Sequence, residues 1–169
     1  MGTLGNGFTN ELQPAINTTP GAVLIHNRLA DYLNAAAQAV VMEVSSHALS
    51  QDRVNGVHFD VAMLTNLSRD HLDYHGDMKS YADVKRKLFN WERLTYAVLN
   101  FDDAYGVELS EQLQDAEVEV IGYGLTGTSL RHAENLGVRM VYGRILEMDG
   151  NGLKISVHSS WGAAQINSG

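Results

Sequence analysis

The spacing of apolar residues predicts an alternation of helices and short strands along the chain. Thr18, Thr19 and Pro20 read as a helix start, with Thr19 as N-cap and Pro20 at the first helical position. Apolar residues at helical spacing then carry the helix over residues 20–38. Residues 39–44, Ala-Val-Val-Met-Glu-Val, are a β-branched apolar run interrupted by one carboxylate. That pattern predicts a strand covered on both faces, with Glu43 near its C-terminal end. Runs at 59–64 and 96–99 predict two further strands, closed by Thr65-Asn66 and by Asn100, and residues 80–94 between them carry helical spacing. This β-α-β order implies a parallel sheet. Residues 102–113 suit a helix and 118–122 a strand. From 138 to 158 polar and apolar residues alternate around Asp149-Gly150-Asn151-Gly152, the pattern of a β-hairpin. The expected fold class is α/β, a mostly parallel sheet flanked by helices, with a C-terminal β-hairpin. The glycine-rich patch at 122–127 marks where the parallel part gives way to the hairpin, without dividing the domain.

Composition narrows the function classes. With 169 residues and 44% of them hydrophobic, the chain has the material for one domain of ordinary size. A net charge of -8 means that a phosphate-bearing partner must be held by a local site, so nucleic acid is not an expected partner. The absence of cysteine removes disulfides, zinc-thiolate sites and thiol nucleophiles, and makes the cytoplasm the expected compartment. The N-terminal stretch MGTLGNGFTNELQP has neither a basic start nor an apolar core, and no apolar run approaches the ~20 residues of a membrane span, so no membrane partner is expected.

Ligands of open α/β sheets bind beyond the carboxyl ends of the strands, where this reading places Glu43, Ser45, Asn66 and the segment Asp70-His71-Leu72-Asp73. A carboxylate closing an apolar strand is costly to bury unless it meets a cation or strong donors; if the strand ends earlier, Glu43 is simply solvated. Residues 68–77 pack two histidines and three aspartates behind a strand. They suit a divalent metal or a proton-transfer site, or else a charged loop whose Asp and His side chains cap backbone groups. Lys85, Arg86 and Lys87 read as a solvated helix face paired with Asp83. Asn17-Thr18-Thr19 and Ser45-Ser46-His47 lie where the chain enters helices, so they cap those helices or cradle an anion. There is no G-x-S-x-G elbow to make Ser46-His47 a hydrolase pair, and no G-x-x-x-x-G-K-[ST] phosphate loop.

Three stretches in one order carry a resemblance: Asn17-Thr18-Thr19-Pro20-Gly21, then M-E-V-S-S-H-A-L-S-Q-D-R at 42–53, then T-N-L-S-R-D-H-L-D-Y-H-G-D-M at 65–78, followed by a helix reading S-Y-A-D-V-K. Together they resemble the Mur ligase family, and within it the MurE type, whose members add the third residue to the peptidoglycan stem peptide. The resemblance covers nearly the whole chain, most strongly residues 17–94, and its looser end, S-S-W-G-A-A-Q-I-N-S-G, is similar to the family's central-domain hairpin. It implies a P-loop-type central domain over residues 1–169, starting just after the family's phosphate loop and stopping before its C-terminal amino-acid-selecting domain.

The resemblance also implies roles. Glu43 and His71 would bind Mg2+, and Lys85 would carry a carbamate that turns a cation into a third, anionic ligand; Asn66 would support that catalytic group. Asn17, Thr18, Thr19, Ser45, Gln51 and Arg53 match positions that hold UDP-MurNAc-L-Ala-D-Glu, and a guanidinium such as Arg53 suits a carboxylate or phosphate because it engages two oxygens at once. The implied reaction uses ATP to convert the D-glutamate carboxylate into an acyl phosphate, which a diamino acid, with meso-diaminopimelate expected over lysine, then captures as an amide. The expected molecule is a monomer, in the bacterial cytoplasm, and the segment alone is expected to be inactive. A metal-dependent hydrolase with a carbamylated lysine and a silent nucleotide-sugar-binding module are the alternatives.

Overall fold

The computed structural model describes residues 1–8, 10–150 and 152–168. They form two compact units, Met1–His58 with His71–Leu88, and Phe59–Asp70 with Phe89–Gly169.

The first unit opens with a ribbon of two antiparallel strands, β1 (Asn6–Phe8) and β2 (Glu11–Gln13). Gly7 sits in it at φ 141, where a Cβ would lie 2.3 Å from the Glu11 carbonyl oxygen, so only glycine fits. Helix α1 (Ala22–Asn34) starts later than its sequence signals suggest. Its N-cap is Gly21, without a side-chain bond, because the Thr19 hydroxyl is engaged elsewhere. It also stops four residues before 38: Ala36 turns left-handed at φ 59, and the Ala37 N–H reaches back to the Tyr32 carbonyl.

Residues 39–44 are not a strand. The Met1 ammonium donates to the Val41 carbonyl at 2.7 Å and the Glu43 N–H donates to the Met1 carbonyl at 2.9 Å, but no longer ladder forms among the described residues. A strand requires a neighbour along its length to take its backbone groups; lacking one, this run leaves Val41 86% exposed instead of covered on both faces. Short helices follow: α2 (Ser46–Ser50), capped by the Ser45 hydroxyl on the Ala48 N–H, and α3 (Leu72–His75). Next comes α4 (Met78–Arg86), whose N-cap Asp77 accepts from the Ser80 N–H at 2.7 Å. That cap starts the helix two residues ahead of the expected 80–94, and a tighter turn at Lys87–Asn90 ends it early. Ile25, Ala48, Leu49, Val54 and Tyr81 are buried in this unit.

The second unit is built on a six-stranded sheet in the order β3 (Val61–Leu64), β4 (Tyr96–Asn100), β5 (Glu119–Gly124), β6 (Arg139–Asp149), β7 (Gly152–Ser159), β8 (Gly162–Ser168). The first four strands pair in parallel and the last three as an antiparallel meander. Burial alternates along β3, β4 and β5, so Ala62, Leu64, Ala97, Leu99 and Val120 share the covered face, while Val61 and Met63 are exposed. Helix α5 (Ala104–Gln112) follows β4, capped by Asp103 on the Tyr105 N–H.

Two elements of this unit are absent from the sequence-based expectation. Helix α6 (Gly127–Leu136) joins β5 to a parallel β6, with Thr126 as N-cap and Gly137, at φ 66, as its left-handed stop. Its start lies within the glycine patch, which masks it as loop. Strand β8 turns the expected hairpin into a meander. Of the expected turn, Asn151 lies outside the described residues; its flanks Asp149 and Gly152 are paired. Among the described residues no helix is long and apolar enough to cross a membrane.

Asp102 ties the β4 end to the start of α6. Its carboxylate accepts from the Leu125 N–H at 2.6 Å, from the Thr126 N–H at 3.2 Å and from the Thr126 hydroxyl. Burial pushes this acid up, but those hydrogen bonds outweigh it and hold it below the usual aspartate value. The stability it contributes is therefore full above the unfolded-state pKa of about 3.9 and is lost as pH falls through the lower folded value. Asp102→Asn is expected to flatten the acid limb of a urea-unfolding series below about pH 4, with a cost near neutrality of about 1–2 kcal/mol. An unchanged acid limb would show that the carboxylate is not coupled to folding.

Candidate functional site

The first unit gathers nine of the ten residues that the sequence singles out. Glu43 lies at the exit of the irregular run, exposed, and its Oε2 accepts from the Thr3 hydroxyl at 2.6 Å and from the Thr3 N–H at 3.2 Å. The Thr3 hydroxyl also lies 3.1 Å from that of Thr18. Gly2 passes so close that a Cβ there would lie 2.7 Å from the Glu43 Cδ and Oε1. The carboxylate is thus cradled by the backbone of residues 2–3, with Oε2 the oxygen that is bonded.

Thr19, 1% exposed, donates its hydroxyl to the Glu43 carbonyl at 2.7 Å and accepts from the Ser45 N–H at 2.9 Å. Its side chain braces residues 43–45 instead of capping α1. The Ser45 hydroxyl is committed to its own helix, and Asn17 is exposed. Arg53 donates through Nη1 to the Thr19 carbonyl at 2.9 Å and through Nε to the Gln51 Oε1 at 2.9 Å, while Gln51 donates to the Tyr74 hydroxyl at 3.4 Å. Arg53 therefore links the 17–19 segment to the 51–53 turn and keeps other N–H groups of its fork for a ligand.

His71 is the N-cap of α3 and adopts a left-handed backbone, φ 53 and ψ 27. Histidine tolerates that region better than most residues, but it still carries a cost, and such costs concentrate at functional sites. Its ring lies 4.9 Å from His47 and 6.3 Å from Tyr81, both edge-on. His75 stacks on Tyr81 at 5.1 Å and hydrogen-bonds the buried Ser46 hydroxyl at 2.9 Å through Nε2. Desolvation, then the charges of His47, His71 and Lys85, hold His75 below the ordinary imidazole value and keep it neutral. Lys85, on the last turn of α4, places Nζ 5.1 Å above the Tyr81 ring centroid. His71 and Lys85 thus share one aromatic wall, and Glu43 anchors a second, hydroxyl-rich group.

Asn66 belongs to the second unit, exposed in the loop after β3. Three side chains hold that loop: Asn100 donates to the Thr65 carbonyl at 2.7 Å, Asp103 accepts from the Leu67 N–H at 2.8 Å, and the Tyr123 hydroxyl donates to the Leu64 carbonyl at 3.1 Å. Sequence reasoning missed all three, together with Thr3, Tyr74, His75 and Tyr81 as shaping residues. Asn100 and Asp103, at a strand end and a helix start, carried a readable signal; the tyrosines carried none.

Among the described residues no three His, Asp or Glu side chains gather closely enough to hold a metal by themselves. Mg2+ makes a smaller demand, since it keeps several waters and is commonly bound by one or two carboxylates plus substrate phosphates. The exposed Glu43 carboxylate, held in its backbone cradle, is an oxygen ligand of the kind that demand calls for, while His71 and Lys85 stand in the separate aromatic group.

The chain matches the model of the Mur ligase middle domain over residues 1–168. It is 56% identical over 124 residues, 73% of this chain and 24% of the relative, to the UDP-N-acetylmuramoyl-L-alanyl-D-glutamate--2,6-diaminopimelate ligase of Nitrosomonas europaea. It is 43% identical over 169 residues, all of this chain and 32% of the relative, to the ligase of the same name from Chromobacterium violaceum. A solved structure of a ligase of that name superposes with a TM-score of 0.82 at 34% identity, covering 99% of this chain and 32% of the other. The chain spans about a third of the length of such relatives. A first unit carrying the 42–53 and 71–85 motifs, a second unit with a largely parallel sheet ending in a meander, and these matches place the chain in the Mur ligase family, as its middle domain.

Proposed function

We propose that the chain is the ATP-handling middle portion of a MurE-type ligase that adds 2,6-diaminopimelate to UDP-MurNAc-L-Ala-D-Glu in the bacterial cytoplasm, acting as a monomer. The observation that carries this reading is the match, 43% identical over all 169 residues, to a ligase named for 2,6-diaminopimelate, which includes the 42–53 and 65–85 segments.

Glu43, His71 and a carbamylated Lys85 would hold Mg2+. The Lys85 ammonium would first give up one proton; the neutral amine would then attack CO2, forming an N–C bond as one C–O π bond opens and a second proton leaves, so that a positive side chain becomes a negative one. When bound, Mg2+ supplies charge neutralisation to the phosphate oxygens. Thr3 fixes the Glu43 carboxylate by two donated hydrogen bonds, which sets its direction before any ligand arrives. Arg53, bonded to Gln51 and to the Thr19 carbonyl, would orient the dipeptide end of the substrate together with Asn17, Thr18 and Ser45, and Thr19 braces residues 43–45. Asn66, in its clamped loop, would take the supporting role that the resemblance implies. The substrate carboxylate takes the γ-phosphoryl group, releasing ADP, and the incoming amine then displaces phosphate to form the amide.

The test is a chimera in which this chain replaces the matching stretch of the Chromobacterium violaceum relative. Release of ADP that requires both UDP-MurNAc-L-Ala-D-Glu and 2,6-diaminopimelate, with the tripeptide product seen by mass spectrometry, is expected. A folded chimera that forms no such product overturns the reading.

Gly2→Ala probes the carboxylate cradle. The added methyl group, 2.7 Å from the Glu43 carboxyl, forces that side chain to swing away. In the chimera the Mg2+ concentration for half-maximal rate is expected to rise roughly tenfold with little change in melting temperature. An unchanged Mg2+ dependence would show that the Glu43 direction is immaterial.

A further inference from the structure

His71 and Lys85 are 14 positions apart in sequence, yet one side chain meets both. The Tyr81 ring carries Lys85 Nζ over its face at 5.1 Å and His71 edge-on at 6.3 Å. Tyr81 lies one helical turn before Lys85 on α4, so the two side chains lie on the same face of that helix. It is also the buried aromatic of α4, 6% exposed, which leaves its ring little room to turn. Its ring also stacks on His75, at 5.1 Å and 26° between planes. His75 is in turn tied by Nε2, at 2.9 Å, to the hydroxyl of Ser46, a residue 2% exposed at the start of α2. The chain Ser46, His75, Tyr81 thus runs from a buried anchor to the two side chains whose alignment the chemistry requires.

We propose that Tyr81 is a positioning residue of the ligase, a shared aromatic wall that sets the relative placement of Lys85 and His71, with His75 and Ser46 holding the wall in orientation. The inference rests on the roles given above to Lys85 and His71. Tyr81 touches no reacting atom. Ring contact is the working interaction: the flat face limits where the Lys85 tip can lie, and the edge limits the swing of a His71 ring whose backbone is already fixed in the left-handed region. With the wall removed, both groups keep their identity but lose their common geometry, which weakens cation binding more than it slows turnover once the cation is saturating.

The experiment compares Tyr81→Phe, Tyr81→Leu and Ser46→Ala with Lys85→Ala. Two readouts are used: the lysine-carbamate signal of the chain under 13C-labelled bicarbonate by NMR, and the Mg2+ dependence of the chimera. Tyr81→Phe, which keeps the ring, is expected to match the parent in both. Tyr81→Leu is expected to raise the half-saturating Mg2+ concentration roughly ten- to hundredfold, with kcat at saturating Mg2+ largely retained and the carbamate signal reduced. Ser46→Ala removes only the anchor hydrogen bond and is expected to shift both readouts in the same direction by less, which keeps the test decisive if Tyr81→Leu does not fold. Folded Tyr81→Leu or Ser46→Ala proteins with parental Mg2+ dependence and carbamate signal would overturn the positioning role while Lys85→Ala is still inactive. A fully active Lys85→Ala chimera would instead overturn the site itself, and the positioning role with it.

Discussion

Alanine at Gly106 is expected to prevent the second unit from folding as observed, lowering its stability by about 3 kcal/mol or more. Gly106 lies in the first turn of α5, where the helix rests on the end of β4. A Cβ there would stand 2.0 Å from the Asn100 carbonyl oxygen and 2.9 Å from its carbon. Both are backbone atoms, so no side-chain rotation relieves the clash, and α5 must lift off the strand. In an exposed helix the same change would gain about 1 kcal/mol of helix propensity, so the sign of the effect identifies its cause. Moving α5 also disturbs Asp103, which caps the helix and holds the loop carrying Asn66 through the Leu67 N–H. Urea unfolding, followed by the circular dichroism of the chain, should show loss of the cooperative transition or a large drop in its midpoint. Gly137→Ala is the comparison: no atom lies within 4 Å of its Cβ, and only its left-handed φ of 66° is strained, so a cost of about 1 kcal/mol is expected. Equal effects at the two glycines would mean that close packing of α5 on β4 is not what requires glycine at 106.

Lys85→Ala in the chimera is expected to lower kcat/KM at least about a hundredfold, through the loss of a ligand to the cation that would neutralise phosphate charge. Lys85→Arg separates the two ways in which a lysine could serve. If Lys85 acts as a cation, arginine should restore much of the rate. If it acts as a carbamate, arginine should be as defective as alanine, because a guanidinium does not add CO2 and stays positive at every accessible pH. The carbamate reading further predicts that depleting CO2 slows the parent chimera and that bicarbonate restores it. Full rescue by arginine, or indifference to CO2, would exclude carbamylation and leave Lys85 as a point charge.

Periodicity was a good guide where it reflected burial on one face. The run at 59–64 became β3, two residues shorter at its start, the run at 96–99 became β4, one residue longer at its end, and the alternating tail became β6 and β7. It failed at 39–44, where composition suited a strand but no neighbour takes up most of the backbone groups. It failed again at 127–136, where cap residues were read as part of a glycine-rich connection.

Within the candidate site, the sequence named residues that could carry chemistry and could not say how they are held. Thr19 looked like a helix cap, yet its hydroxyl bonds the backbone of residues 43 and 45, 24 and 26 positions away. Tyr81 looked like an ordinary buried aromatic on a helix, and only its neighbours make it a wall for Lys85 and His71. The amino-acid order by itself determined the β-α-β framework and the ordered motifs at 17–21, 42–53 and 65–78, because turn signals, apolar period and motif spacing are properties of neighbouring residues. The tertiary structure alone decided which hydroxyl braces which backbone, which ring faces which amine and which glycine admits no methyl group, because those depend on atoms far apart in the chain that meet only after folding.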